Sequence, residues 1–334
     1  MLKDLKVSCS PHISAQLSTR RIMGDVIIAL IPAMVAAGYF FRLHALLLIG
    51  VCVVSCLLAE WICNKIRKKD NSLDDLSAVV TGIILAFSLP PSLPIWVAVV
   101  GSFFAIAICK AVFGGLGANI FNPAMAARTF LTASFGILMT TWIAPATLPV
   151  IEKGIRVDTV TASTPLAYSK EAIKNKAKAK EYDEKLTSAF LGDVGGCLGE
   201  TSSLAILIGA AYLLFRKTIT IHIPAAVLIF AFLFSGVFYL INPDAYISPL
   251  LHLNSGGLML CAFFIATDPV TAPLSKSGMW IFGAGVGILI MLIRIIGGYP
   301  EGIMYAILLM NAVTPLIDRL CKLVPAGGKP NVSK

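Results

Sequence analysis

Three short stretches combine residue types that can do chemistry. The first, Asp158-Thr159-Val160-Thr161-Ala162-Ser163-Thr164-Pro165-Leu166, sets a carboxylate and hydroxyls at three-residue intervals, Asp158, Thr161 and Thr164, with Ser163 beside the last. By residue type alone it is a Ser/Thr-rich turn. The second, Gly195-Gly196-Cys197-Leu198-Gly199-Glu200-Thr201-Ser202, is a glycine-rich turn ahead of an apolar run. Such a turn can approach a ligand closely and offer it backbone N–H groups. The competing role for Glu200, Thr201 or Ser202 is to cap the following helix. It is not a Walker motif, because no Gly-Lys-Ser/Thr follows. The third is a pair, Asn122-Pro123 and Asp268-Pro269, the latter followed by Thr271, placed where apolar runs are interrupted. A carboxylate at membrane depth is costly and usually functional, so Asn122, Asp268 and Thr271 are candidates for a membrane path or ion site. The alternative is that each simply starts a helix. A metal site is not expected: there is no C-x-x-C, and His12, His44, His222 and His252 are scattered.

These stretches sit in a chain built for lipid. Hydrophobic residues are 57% of the 334, and charged residues 13%, about half the share in a soluble domain. The class expected is an all-α polytopic membrane protein. Runs long enough to span a bilayer lie near 22–41, 45–63, 76–92, 95–113, 124–143, 201–215, 219–241, 254–267, 279–296 and 299–318, giving about ten transmembrane helices. The net charge of +9 does not indicate nucleic acid, since the basic residues form short patches between apolar runs. No secretory signal peptide is apparent, because Met1–Arg21 is polar and basic and the first apolar run is long enough to stay in the membrane.

Lys and Arg fix an expected orientation. Arg20 and Arg21, Lys65 to Lys69, Lys110 and Arg128, Arg216 and Lys217, Lys276, and Arg319 and Lys322 all fall on one side if the spans alternate. Both termini are then cytoplasmic. Lys110 and Arg128 read as interfacial anchors, and Arg294 sits awkwardly near the outer end of its span. The organisation expected is a cytoplasmic segment 1–21, a five-helix repeat 22–143, an extracytoplasmic loop 144–200, a second repeat 201–318 and a cytoplasmic tail 319–334. Within the loop, Ser169–Ser188 reads as a short exposed helix. Phe87-Ser88-Leu89-Pro90, Gly114-Gly115 and Asn122-Pro123 of the first half find faint counterparts in Ile265 to Pro269, Gly297-Gly298 and Asn311 of the second. Five spans per half would make the repeats inverted, with broken helices meeting at a site. Gly283-x-x-x-Gly287 suits close helix packing.

The segment from Asp158 to Thr164 also resembles the acceptor motif for covalent flavin transfer, D-x-x-S/T-G-A-T. With it, in order along the chain, stand Ser10-Pro11-His12, Gly114 to Ala124, Leu198-Gly199-Glu200-Thr201-Ser202, Ala266 to Thr271 and Gly297 to Gly302. Together these resemble the D subunits of Rnf ion-translocating electron-transport complexes, relatives of the B subunits of sodium-pumping NADH:quinone oxidoreductases, over almost the whole chain. The resemblance implies flavin mononucleotide (FMN) joined through its phosphate to Thr164. Asp158 and Thr161 would guide a flavin transferase, and Glu200, Thr201, Ser202 and Ser163 would lie close by. Ala162 and Ser163 depart from the motif's Gly and Ala, and Thr161 is the alternative acceptor. It further implies partner subunits of an Rnf complex in the bacterial cytoplasmic (inner) membrane, electron flow between ferredoxin and NAD coupled to Na⁺ or H⁺ movement, and room for a second, non-covalent flavin such as riboflavin. Broken helices and inverted repeats fit a secondary transporter or channel without a redox role equally well; the 144–200 loop, which such a protein does not need, separates the two readings.

Overall fold

The structure, a computed structural model, describes residues 18–69, 72–142, 164–175, 186–192, 194–299 and 301–322. Among these every regular element is helical. Asp158, Thr161 and Ser163 lie outside the described residues.

Helix α1, Thr19–Ile66, is capped by Ser18, whose hydroxyl accepts from the Arg21 N–H. Drawn straight, its 48 residues would reach about 72 Å, far beyond a bilayer. It is not straight. Arg42 has φ +57° and ψ −149°, a conformation that breaks the helix. A methyl group on Gly38 would sit 3.3 Å from the Leu46 side chain, although eight residues of helix separate Cα atoms by about 12 Å. The chain therefore doubles back at Arg42 into a helical hairpin.

Onto this hairpin fold two short helices, α2 (Ser77–Phe87) and α3 (Ile95–Phe103), the latter continuing as a π-helix over Phe104–Ala111. Helix α4, Pro123–Ser134, starts as Asn-Pro should: the Asn122 carboxamide accepts from Ala124 and Met125 N–H, and Pro123 has no N–H to lose. After the four-residue α5 (Gly136–Met139), the next described elements are α6, Pro165–Asn175, and α7, Leu186–Leu191. The helix expected from Ser169 begins four residues earlier, at Pro165, with Leu166 and Ser169 buried on it and Thr164 buried just ahead of it; residues 176–185 of the expected Ser169–Ser188 helix lie outside the described residues.

Helix α8 (Ser203–Phe215) is capped by Ser202, and α9 covers His222–Ile241. A broken stretch follows, with α10 (Pro249–Asn254) and α11 (Leu258–Leu260), the latter passing into a π-helix at Cys261–Ile265. Helices α12 (Lys276–Ile295) and α13 (Ile303–Leu320) complete the fold. Gly283 and Gly287 do serve close packing: a methyl group on Gly283 would lie 2.7 Å from Ala226 Cβ, and one on Gly287 2.6 Å from the Val227 carbonyl oxygen.

Helices α1, α9, α12 and α13 are long and apolar enough to cross a membrane; α2, α3 with its π extension, and α8 are shorter apolar helices. Val35, Tyr39, Leu43, Phe215, Leu240 and Ile241 are exposed on the outside of the bundle. Water would penalise such a surface, whereas lipid does not. The chain is a multi-pass membrane protein.

Candidate functional site

The glycine-rich turn is stitched to the end of α2. That helix leaves carbonyls without intrahelical donors, and the turn supplies them: Gly199 N–H donates to Phe87 O at 2.9 Å, and Leu198 N–H to Leu89 O at 3.1 Å. Only glycine fits at 199, because any Cβ there would collide with the Phe87 side chain. Cys197 adds a thiol contact to Ser88 O. Glu200 is thereby fixed and buried, with no lipid or water face. Of the three capping candidates, Ser202 is the cap, its hydroxyl accepting from Ala205 N–H. Thr201 is buried beside it.

Opposite Glu200 stands Arg128 of α4, also buried. Its Nη1 donates to Glu200 Oε1 at 3.2 Å, and its Nη2 reaches both Glu301 Oε2 and the Cys197 sulfur. Arg128 is therefore no interfacial anchor but the centre of a buried ion triad. The Cys197, Glu200 and Glu301 ligand atoms lie within 4.8 Å of one another, a spacing that a metal would accept, but here the guanidinium fills the space between them. Glu301 is further held by the Gly257 N–H at 2.8 Å. Arg294, in the last turn of α12, donates to the carbonyls of His252 and Ser255, which explains a buried cation at the end of an apolar helix. Gly256 and Gly257 let these groups meet: a methyl group on Gly256 would come within 2.8 Å of Glu301, Leu166 and Arg294 at once, and one on Gly257 within 2.7 Å of Glu200 Oε1.

Thr164 closes the same cluster. Its hydroxyl accepts from Ala167 N–H and so caps α6. With Trp142, Gly195, Gly196, Glu200, Gly256 and Glu301 it lines a small cavity of about 20 Å³. The fold thus joins Thr164 to the glycine turn and to Glu200, as the sequence leads one to expect. It adds Arg128, Glu301, Arg294 and the Ser255-Gly256-Gly257 turn, for which the only signal was charge inside apolar segments and paired glycines.

A second and larger cavity, about 80 Å³, brings the two interrupted motifs together. Asn119, Asn122 and Pro123 line it from the start of α4; Thr267, Asp268 and Pro269 line it from the end of the second π segment, with Phe263 and Phe264 behind. Asp268 accepts from Val270 N–H and from the Thr271 hydroxyl at 3.0 Å, so Asp268 and Thr271 form a turn. Thr271 is buried behind that turn, and its carbonyl accepts from Thr314. With its amide set to satisfy both neighbours, Asn311 of α13 accepts from Asn122 N–H at 3.0 Å. Asn119 Oδ1 is buried without a partner. Lys110 reaches this cavity too, but it is not an interfacial anchor either: its ammonium is buried against Glu60 Oε1 and Ser77 Oγ, each at 2.6 Å.

The profile of the NQR2, RnfD, RnfE family matches residues 6–327. The chain belongs to that family. Among its relatives is the D subunit of the Na⁺-translocating ferredoxin:NAD⁺ oxidoreductase complex of Acetobacterium woodii, 47% identical over 96% of this chain and 94% of the relative. The D subunit of the proton-translocating ferredoxin:NAD⁺ oxidoreductase complex of Clostridium ljungdahlii is 40% identical over 96% of each chain. The D subunit of the ion-translocating oxidoreductase complex of Shewanella frigidimarina is 39% identical over 94% of this chain and 95% of the relative. Asn122, before α4, stands in the wall of the larger cavity, and Arg128, about 9 Å further along α4, binds Glu200 and Glu301, which line the smaller.

Proposed function

We propose that the chain is the D-type membrane subunit of an ion-translocating ferredoxin:NAD⁺ oxidoreductase (Rnf) complex, not catalytically complete alone, that carries electrons through an FMN attached to Thr164 and contributes to Na⁺ or H⁺ movement. The observation that carries the flavin reading is the place of Thr164. Its hydroxyl stands at the N-terminus of α6 and on the wall of a cavity walled by glycine turns. A phosphodiester on that oxygen would sit at the positive dipole end of the helix, a favourable position for an anion. The flavin supplies one- and two-electron chemistry; the chain's part is to tether it, shape its cavity and set its electrostatics. Gly195, Gly196, Glu200 and Glu301 line the pocket beside that oxygen. Attachment requires a flavin transferase, with Asp158 and Thr161 as its recognition residues.

The larger cavity suits a second, non-covalent flavin such as riboflavin. It is mostly apolar, and the unpartnered Asn119 Oδ1 is an acceptor ready for a ring N–H or a ribityl hydroxyl. Asn122 and Asp268 on its wall, with Thr271 behind, are the candidates for the ion path. The ten stretches form two inverted five-helix repeats, 22–143 and 201–318, in the bacterial cytoplasmic membrane. Both termini are cytoplasmic, and 144–200 lies outside. The rival reading, a transporter or channel with no cofactor, leaves the Thr164 cavity without a purpose.

The test is in-gel flavin fluorescence after denaturation, on protein co-expressed with an active flavin transferase. Wild type is expected to fluoresce. Thr164→Val keeps the shape of Thr but not its oxygen, and is expected to insert normally and stay dark. Fluorescence in Thr164→Val equal to wild type would move the attachment elsewhere.

A further inference from the structure

Glu200 and Glu301 each give one oxygen to Arg128, and carboxylate oxygens of the two lie within 4.8 Å of each other. Two negative charges at that spacing repel, and one proton on either relieves the repulsion. Glu200 is buried, the Glu301 side chain is 11% exposed, and both line the cavity that contains Thr164.

We propose that Glu200 and Glu301 act as one shared proton site, which fills when negative charge enters the cavity beside Thr164 and empties when that charge leaves. The proposal rests on the flavin reading above. The step is balanced by one proton: the pair goes from two carboxylates to a carboxyl–carboxylate pair, taking H⁺ from water at the cavity mouth. The electron comes from a one-electron carrier in a partner subunit.

Coulomb's law supplies the reason. An added charge in a poorly screened cavity raises the proton affinity of any carboxylate within a few ångströms. The other charged or titratable groups around the pair are poor at the task. Arg128 from α4 and Arg294 from α12 are guanidinium groups that stay protonated. Cys197 on the turn and Cys261 on the second π segment are buried thiols, which start neutral and have no vacancy for a proton. Tyr305 on α13 and Lys170 on α6 lie beyond them, Lys170 with its ammonium on Gly297 O. Arg128 keeps the two carboxylates together, because each gives it only one oxygen. Burial, followed by the charge of Glu301, pushes the Glu200 carboxyl up to about 8, so the pair is poised to respond near neutral and alkaline pH.

The experiment is a redox titration of the covalent flavin in the intact membrane complex, from about pH 6 to about pH 9. Wild type, Glu200→Gln and Glu301→Gln are compared. Proton uptake on reduction makes the potential fall as pH rises. In wild type the fall should steepen above the pKa of the oxidised pair, and that extra steepness should vanish in both Gln variants. Infrared difference spectra of wild type, reduced minus oxidised at alkaline pH, should show a protonated carboxyl appearing on reduction. Equal slopes in all three proteins overturn the proposal. If a Gln variant fails to hold flavin, the wild-type spectrum decides, and absence of the carboxyl signal overturns the proposal. A wild type without covalent flavin would sink the flavin reading and this proposal with it, whereas a flavin with no proton coupling sinks the proposal alone.

Discussion

Arg128 carries a disproportionate share of the site. One guanidinium binds Glu200 from the turn before α8 and Glu301 from the turn before α13. Arg128 and Glu200 are buried and Glu301 nearly so, and their desolvation is offset only while the partners stay charged and together. Arg128→Gln leaves the buried Glu200 without its ion-pair partner and Glu301 with Arg294 alone nearby. The expected loss is about 3–5 kcal/mol, the usual cost of breaking a buried pair from one side, seen as a lowered melting temperature in detergent. Arg128→Lys should lose less, keeping the charge but not the fork that reaches two carboxylates. A melting temperature unchanged in Arg128→Gln would show that the triad holds nothing. Sequence alone hid this role. An arginine a few residues inside an apolar run reads as an anchor at the lipid surface, and nothing local reveals that its partners lie 72 and 173 positions away. Glu200 was legible through its glycine turn. Glu301 was not, since a lone carboxylate beside Gly302 looks like a helix start.

At the scale of elements, apolar runs marked where helices lie, because the requirement for about 20 apolar residues per span is a property of composition. What composition could not convey was how they break. Arg42 reverses α1 through a positive φ that no proline or glycine announces, and the two π segments, Phe104–Ala111 and Cys261–Ile265, carry no local signature. Both π segments contribute to the wall of the larger cavity, through Lys110 and through Phe263 and Phe264, in keeping with the tendency of π-helical turns to sit at functional sites. The helices themselves meet through small residues. Gly209 of α8 faces the Ala29 backbone of α1 so closely that any Cβ would overlap its carbonyl oxygen. Gly209→Leu is therefore expected to separate α1 from α8, costing about 1–3 kcal/mol or more for overpacking and lowering the yield of folded protein. Normal yield and melting temperature would mean that the two helices can shift apart freely.

For the whole molecule, the loops decide orientation. Arg67 and Lys69 gather at Gly114 on one face of the bundle, both donating to the Gly114 carbonyl. The positive-inside tendency would set such a basic face on the cytoplasmic side, and the proposed topology sets the Thr164 segment outside. Labelling with a membrane-impermeant thiol reagent would check this in a variant carrying Lys176→Cys. Reaction from outside intact cells is expected, and protection there with reaction only in inverted vesicles would reverse the orientation. The fold arranges two cavities along α4, one beside Thr164 and one between Asn122 and Asp268, and an electron-carrying role needs a flavin in the first. Peptide mass spectrometry addresses that most directly. Tryptic digestion of wild type co-expressed with an active flavin transferase should yield the fragment Val157–Lys170 carrying the added mass of a flavin mononucleotide phosphodiester, with fragmentation placing it on Thr164. A modified Thr161 would move the attachment point within the same loop, and an unmodified fragment would contradict the account.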